Sequence, residues 1–223
     1  MLKLTQLSGF GAGAGETTPS IIALQDSSTS SSGSQITAPA SIDAGDLLVL
    51  VEYSGGPGSL STPADVTPSG FTQIATDNSV FYRCSLSYRI ADGTEDSQVY
   101  TGLNGANANY KVMLQFRPNY PITAVNVQDI NLQVTGSDPT AQVINASGGT
   151  TPLVVIAGYG ASSVISSGTS FTGDTEDGTI NESSSHLFVK HLSYNEADTP
   201  SDITVDMTDV NVNALSGFYI EVS

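Results

Sequence analysis

"LSYRIADGTED" at 86–96 and "LSYNEADTPSD" at 192–202 carry the reading of this chain. The two match at Leu, Ser, Tyr, Ala, Asp and the final Asp without a gap, at an offset of 106 residues. The same offset lays Leu47 on Leu153, Val49 on Val155 and Asn107-Ala108 on Asn213-Ala214. It also lays "YKVMLQF" (110–116) on "SGFYIEV" (216–222). Self-similarity at a constant spacing marks a duplicated unit, here of the length of a small β-sandwich, about 100 residues. The halves run over 20–119 and 120–223 and join near "RPNYPI" (117–122), where two prolines favour an extended connection.

The unit is built from strands. In "FYRCSLSYRI" (81–90), Tyr82, Cys84, Leu86, Tyr88 and Ile90 share one face, with Arg83, Ser85, Ser87 and Arg89 on the other. "DLLVLVEY" (46–53) and "PLVVIAGY" (152–159) are apolar on both faces and are predicted as central strands. "AVNVQDINLQV" (124–134), "HLFVKHLSY" (186–194), "DITVDM" (202–207) and "GFYIEV" (217–222) complete the main set. Short Val, Ile, Tyr and Phe runs, punctuated by Gly, Ser, Asn, Asp and Pro, predict an all-β sandwich or barrel. Tyr88 and Tyr194 are expected to close an inward strand face. Asp92 and Asp198 are expected to serve strand-end turns, their carboxylates accepting backbone N–H groups.

Composition limits the partners. The 223 residues hold six Lys and Arg against twenty-two Asp and Glu, a net charge of −16. Such acidity repels phosphate backbones and gains nothing at an anionic membrane, so neither nucleic acid nor membrane is an expected partner. The single cysteine, Cys84, excludes an intrachain disulfide. "MLKLTQLSGF" (1–10) lacks the apolar run of a secretory signal and no stretch approaches a membrane span, so synthesis in a reducing cytoplasm is expected.

Candidate chemistry is sparse. "LSGFGAGAGETTPS" (7–20) alternates Gly9, Gly11, Gly13 and Gly15, but Glu16 stands where a dinucleotide fingerprint needs its last glycine, and no Lys-Ser/Thr pair makes a P-loop. His186 and His191 are five apart on a strand, hence on opposite faces, and are expected at surface or edge positions. At the 106 offset His191 falls on Ser85, a position expected to face solvent. Cys84 lies on an apolar face, as inert packing. "GTSFT" (168–172) misses a nucleophile elbow at Thr172. The acids of "DGTED" (92–96) and "GDTEDG" (173–178) miss the spacing of a calcium loop. The sequons at Asn145 and Asn181 carry weight only in a secreted chain. These readings lead to the expectation of no enzyme activity, no cofactor and no metal.

One resemblance adds a direction. The order "AGDLLVLVEY" (44–53), "PSGFTQI" (68–74), "LSYRIADGTE" (86–95) and "YKVMLQFRP" (110–118) resembles a recurrent jelly-roll-like module of bacteriophage structural proteins. The second half follows more loosely, with Pro152 in the place of Asp46 and "GTSFTG" (168–173) in the place of the Pro-x-Gly-Phe turn. The resemblance implies an all-β chain of two tandem, related, jelly-roll-like β-sandwich units behind a glycine-rich N-terminal arm (1–19). It further implies a virion structural protein, foremost a capsid decoration (cement) protein on the exposed particle surface. The implied partners are the major capsid protein or other virion proteins, with a homo-oligomer, a trimer first, as the assembled form.

A tail or fibre component is the second reading. A carbohydrate-binding module is the third, with Tyr53, Tyr159 and Tyr194 as candidate sugar platforms. Gly9, Phe10, Gly11, Gly13 and Gly15 are the candidate partner-binding residues. Together with "DSSTSSSGSQ" (26–35), this segment is expected to order only against a neighbouring subunit.

Overall fold

The computed structural model describes residues 20–31, 33–55, 67–78, 82–101, 109–134, 141–161, 169–181, 186–207 and 212–223. The first half forms β1 (Ile22–Ser30), β2 (Ile36–Thr37), β3 (Leu47–Gly55), β4 (Thr72–Asn78), β5 (Tyr82–Ile90), β6 (Val99–Tyr100) and β7 (Asn109–Pro118). The second half forms β8 (Val125–Val134), β9 (Gln142–Ile144), β10 (Leu153–Ala161), β11 (Thr169–Thr172), β12 (Gly178–Asn181), β13 (Leu187–Tyr194), β14 (Ile203–Met207) and β15 (Val212–Val222). One 3-10 turn, Ala146–Gly148, is the sole helical element among the described residues. The chain is all-β.

Two five-stranded antiparallel sheets dominate, ordered β1-β7-β3-β5-β4 and β12-β13-β10-β15-β8. The strands predicted as central, β3 and β10, sit in the middle of each. Their runs are buried along their whole length, which is why apolar residues occupy both faces. The outer face of the first sheet carries the β2-β6 pair, and that of the second carries the sheet β11-β14-β9.

The inner faces of the two large sheets meet. Leu47, Val49, Val51 and Tyr53 of β3, with Val112, Leu114 and Phe116 of β7, pack in one apolar cluster. The same cluster takes in Val154 and Ile156 of β10, Val189 of β13 and Phe218 and Ile220 of β15. The halves therefore share one core, and each adds a smaller core beneath its own outer cover.

The inner face of β10 continues past Ile156 as Gly158 and Gly160, and there the sheets come closest. A Cβ on Gly160 would lie 2.3 Å from Tyr53 Cγ, and one on Gly158 would lie 3.0 Å from Val51 Cγ1. Small residues on one sheet thus seat large ones from the other. Tyr53 in turn lies between the near-parallel rings of Tyr82 and Tyr110, at centroid distances of 6.4 and 6.2 Å.

Both large sheets follow the same order of connections, but the 106-residue offset does not superpose their faces. Leu47 and Leu86 point into the shared core, whereas Leu153 and Leu192 point to the outer core of the second half. Tyr88 packs on the shared core and Tyr194 lies in the outer one, so they close different faces. The cause is register: Leu47 pairs with Phe116, but Leu153 pairs with Glu221 rather than Val222. A one-residue slip exchanges the two faces of a strand.

A second difference concerns "DSSTSSSGSQ" (26–35). Residues 26–30 are not an arm but the end of β1, paired with Gln115 through Lys111 of β7. Ser and Thr fit an edge strand with one side toward solvent.

Gly160→Ala is expected to destabilise the fold by about 3 kcal/mol, because the methyl group overpacks Tyr53. Gly148→Ala, with open space around it, should leave the thermal midpoint within a degree or two. Equal midpoints for the two variants in a melting experiment would contradict the close approach of the sheets.

Candidate functional site: an open seam between the sheets

The motifs behind the phage resemblance converge first on a polar clasp. Arg117, at the end of β7, reaches the loop before β3 and grips Asp46 through two nitrogens, Nε to Oδ1 at 3.0 Å and Nη2 to Oδ2 at 2.8 Å. Its Nη1 meets Asp43 at 2.9 Å, and Gln115 Nε2 donates to Asp46 Oδ2 at 2.7 Å. Burial alone would raise the Asp46 carboxyl, but hydrogen bonds from Arg117, the Asp43 N–H and Gln115 hold it below the ordinary carboxylate value.

Next to this clasp, Gly45 N–H donates to Ala91 O and Ala91 N–H to Asp46 O. Glu95, fully buried, accepts the N–H groups of Asp92, Gly93 and Thr94 and meets Arg89 at 2.6 Å. Gly70 lies under Arg89 with φ +85°, a conformation that favours glycine. Every charge in this cluster has a partner, which makes it scaffold.

A second polar group lies at the other end of the same outer face. Glu52 of β3 pairs across the ladder with Lys111 of β7, and both are buried. Lys111 Nζ donates to Asn109 Oδ1 at 2.7 Å and to Gly33 O at 2.8 Å. Burial pushes the Lys111 ammonium down to about 8, against the attraction of Glu52.

The seam itself lies on the flank of the sandwich formed by β1 and β12. The opposite flank is closed, with Ile74 and Ala75 of β4 and Val125, Val127 and Leu132 of β8 packed on the shared core. On the β1–β12 flank, a groove of about 530 Å³ runs between Ile22 and Leu24 on one wall and Gly178 and Ile180 on the other. Its floor is the inward face of β13. Along that face Leu187 and Val189 belong to the core, and His191, Ser193 and Asn195 follow at every second position.

His191 is only 3% exposed and stands edge-on to Phe116 at a centroid distance of 6.0 Å. Its Nδ1 and the Ser193 Oγ are buried without a hydrogen-bond partner. Burial lowers the His191 pKa against the pull of Asp177 and Glu176, so the ring is neutral at physiological pH. Neutral imidazole and hydroxyl groups each offer one donor and an acceptor. Leaving such groups unsatisfied costs about 1–3 kcal/mol each.

Both ends of the walls are secured. Asp177 N–H donates to His191 O, and Asp177 Oδ2 accepts the Ser193 N–H at 2.7 Å, fixing the start of β12. Asn195 Oδ1 accepts the Ile22 N–H, Asn119 Oδ1 that of Ile21, and Glu196 Oε2 that of Ser20. The first described residues are thus clamped at one end of the groove.

The sequence-derived candidates fall differently. Gly9, Phe10, Gly11, Gly13 and Gly15, and the whole segment 1–19, lie outside the described residues. His191 is not a surface residue as expected. The expectation borrowed solvent exposure from Ser85 across the 106 offset, and the register slip breaks that equivalence. His186 is half-buried and stacks on Tyr110 at 4.5 Å.

Cys84 is buried and free, its thiol pushed up to about 12 by burial. Tyr53, Tyr159 and Tyr194 are buried packing, so none offers a ring to a sugar. The acids of 173–178 serve the fold: Asp174 accepts from Tyr194 OH, Glu176 pairs with Lys190, and Asp177 anchors β12. Asp92 and Asp198 accept backbone N–H groups of Thr94 and Asn195, as turn residues do. Ser193 went unnoticed in the sequence, although its place in the period 187, 189, 191, 193 was available.

Comparison with known proteins returns no match, whether to a family model, a curated protein or a solved structure.

Two outcomes follow from the polar clusters. Arg117→Met should cost about 3 kcal/mol, since it strips the main partner from a buried carboxylate. The Asp46 contribution is complete above the unfolded-state value near 3.8 and is lost as pH falls through the lower folded value. Acid titration of stability should therefore fall less steeply below pH 4 in Asp46→Asn.

For Lys111, only the unfolded chain stays protonated between about 8 and 10.5, so stability should rise with pH in that window. The gain by pH 9.5 is about 2 kcal/mol, and Lys111→Met should abolish it. Denaturant melts at pH 7.5 and 9.5 read the difference, and equal slopes in wild type and variant would refute the assignment.

Proposed function

We propose that this chain is a non-enzymatic structural component of a bacteriophage virion, a capsid decoration (cement) protein that binds the outer capsid surface and stabilises the head. One observation carries the reading. The segments that resemble the phage module, far apart in sequence, meet in one clasp built from Gly45-Asp46, Gly70, Arg89, Ala91 to Glu95 and Arg117. Motif residues that hold a scaffold together are what a reusable structural module requires, because its turns must survive while its surfaces diverge.

The mechanism is binding. The rigid shared-core sandwich presents sheet edges to subunits of the capsid, and strand edges can extend a neighbour's sheet through main-chain hydrogen bonds. Several copies acting together convert weak contacts into firm attachment. A net charge of −16 keeps the solvent-facing side soluble and repels the packaged nucleic acid. The segment 1–19 serves as the arm that orders against a neighbouring subunit.

Removal of residues 1–19 is expected to abolish binding to particles while leaving the melting transition in place, since Ser20, Ile21 and Ile22 keep their clamp. Co-sedimentation with particles and a thermal melt read the two effects. Full binding by the truncated protein would remove the arm from the mechanism. Gold-labelled antibody on tails but not heads would replace decoration by a tail role.

A further inference from the structure

We propose that Lys111 and Asn109 of β7 join through an intramolecular amide bond, the Lys111 amine displacing ammonia from the Asn109 side chain and Glu52 carrying the proton. The link is independent of where the protein attaches.

The fold gathers the three groups. Asn109 and Lys111 stand two residues apart on β7, hence on one face, and β3 sets Glu52 directly opposite Lys111. Glu52 is also diagonal to Asn109 across the ladder, a spacing that long side chains bridge. All three are shielded from water, with 1% of Asn109, 0% of Lys111 and 4% of Glu52 exposed. Leu50 and Met113, next along the same face, belong to the small apolar core under the β2-β6 pair.

The geometry brings the reacting atoms together. Lys111 Nζ lies 2.7 Å from Asn109 Oδ1 and 2.8 Å from Gly33 O. A C=O bond of about 1.23 Å then puts Asn109 Cγ within about 3.9 Å of Nζ, close to the separation from which attack begins. The amine also orients the amide, since exchanging Oδ1 and Nδ2 would set two donors against each other.

Asn109 Nδ2 is buried and has no hydrogen-bond partner. The group that must leave is therefore the one that nothing holds. A turn about the Cβ–Cγ bond, which shows the face of the amide to Nζ, breaks no hydrogen bond at Nδ2. Departure of Nδ2 removes an unsatisfied buried donor, and amide formation removes a buried ammonium, so both changes favour the product.

The chemistry balances within the cluster. Burial pushes the Lys111 ammonium down to about 8, which makes the free amine accessible near neutral pH. Transfer of one proton from Nζ to the Glu52 carboxylate gives an amine and a carboxylic acid with no change in net charge. The Nζ lone pair then forms a bond to Asn109 Cγ, the Cγ–Nδ2 bond breaks, and its electron pair leaves with Nδ2. Of the three protons on Nζ, one stays on the new amide, one leaves on Nδ2 as part of ammonia, and one remains on Glu52. No oxidant, reductant or further reactant enters.

The test is mass spectrometry on the folded full chain, held at pH 8, where about half of the buried amine is free. The expected mass is that of the sequence less one ammonia. Tryptic digestion locates the loss, because an acylated Lys111 is not cut. A peptide that runs through Lys111 and is lighter by one ammonia is expected. A succinimide at Asn109 would lose the same mass but leave Lys111 open to trypsin, and that result would overturn the link.

Lys111→Arg and Asn109→Ala should each keep the full mass of their own sequence. Glu52→Gln should form the link at least about a hundredfold more slowly, as loss of a proton carrier implies. Linkage at the wild-type rate in that variant would overturn the role of Glu52. Should the variants fail to fold, the wild-type digest decides alone: full sequence mass after prolonged incubation overturns the proposal. The gain in stability with pH given above for Lys111 belongs to the unlinked chain. Linkage removes the titrating amine, so denaturant midpoints of the linked chain, identified by mass, should lose the Lys111 gain between pH 7.5 and 9.5.

Discussion

The close approach of two glycines to two large side chains organises this protein. Gly158 and Gly160 on β10 leave room for Val51 and Tyr53 of β3, and at that spacing the inner faces of both five-stranded sheets interlock. Each half alone would leave one face of a long apolar sheet in water. Burying a single Val, Leu or Phe is worth about 1.5–3 kcal/mol, and the shared cluster holds many. That core fixes the two halves as one body.

Polar residues mark where this core stops. At the clasp end, Asp46, Arg117, Arg89 and Glu95 satisfy one another and the turns around them, with Gln115 donating to Asp46, so buried charge is paired. At the Lys111 end the ammonium is solvated by Asn109 and Gly33 and attracted by Glu52. Paired clusters of this kind specify how loops leave the sheets. His191 and Ser193 continue the inward face of β13 beyond the apolar core, where the His191 Nδ1 and Ser193 Oγ are buried and unpaired, as are Gln115 Oε1 at the clasp and Asn109 Nδ2 beside Lys111.

This arrangement suits the proposed attachment role. Among the described residues the two large sheets end in the edge strands β1, β4, β12 and β8, and the acidic loops are engaged in turn and strand-end contacts. The proposed decoration role draws on the capacity of strand edges to accept an extended chain.

Fold class was legible in the sequence because alternation and uninterrupted apolar runs are local signals. "FYRCSLSYRI" and "DLLVLVEY" announce an alternating strand and a doubly covered one without reference to anything distant. Turn chemistry was equally local, as Asp92 and Asp198 demonstrate. The matching letters at the 106-residue offset do not say which way each strand faces. Facing depends on pairing register, and a slip of one residue between β10 and β15 turned Leu153 away from the core that Leu47 enters. The same slip misplaced His191 at the surface. Composition and period, then, determined an acidic all-β chain with a glycine-alternating opening. Only tertiary packing decided that the halves share a core and that His191 is buried edge-on to Phe116, because contacts between sheets are set by register and by close approach, which neighbouring residues along the chain do not encode.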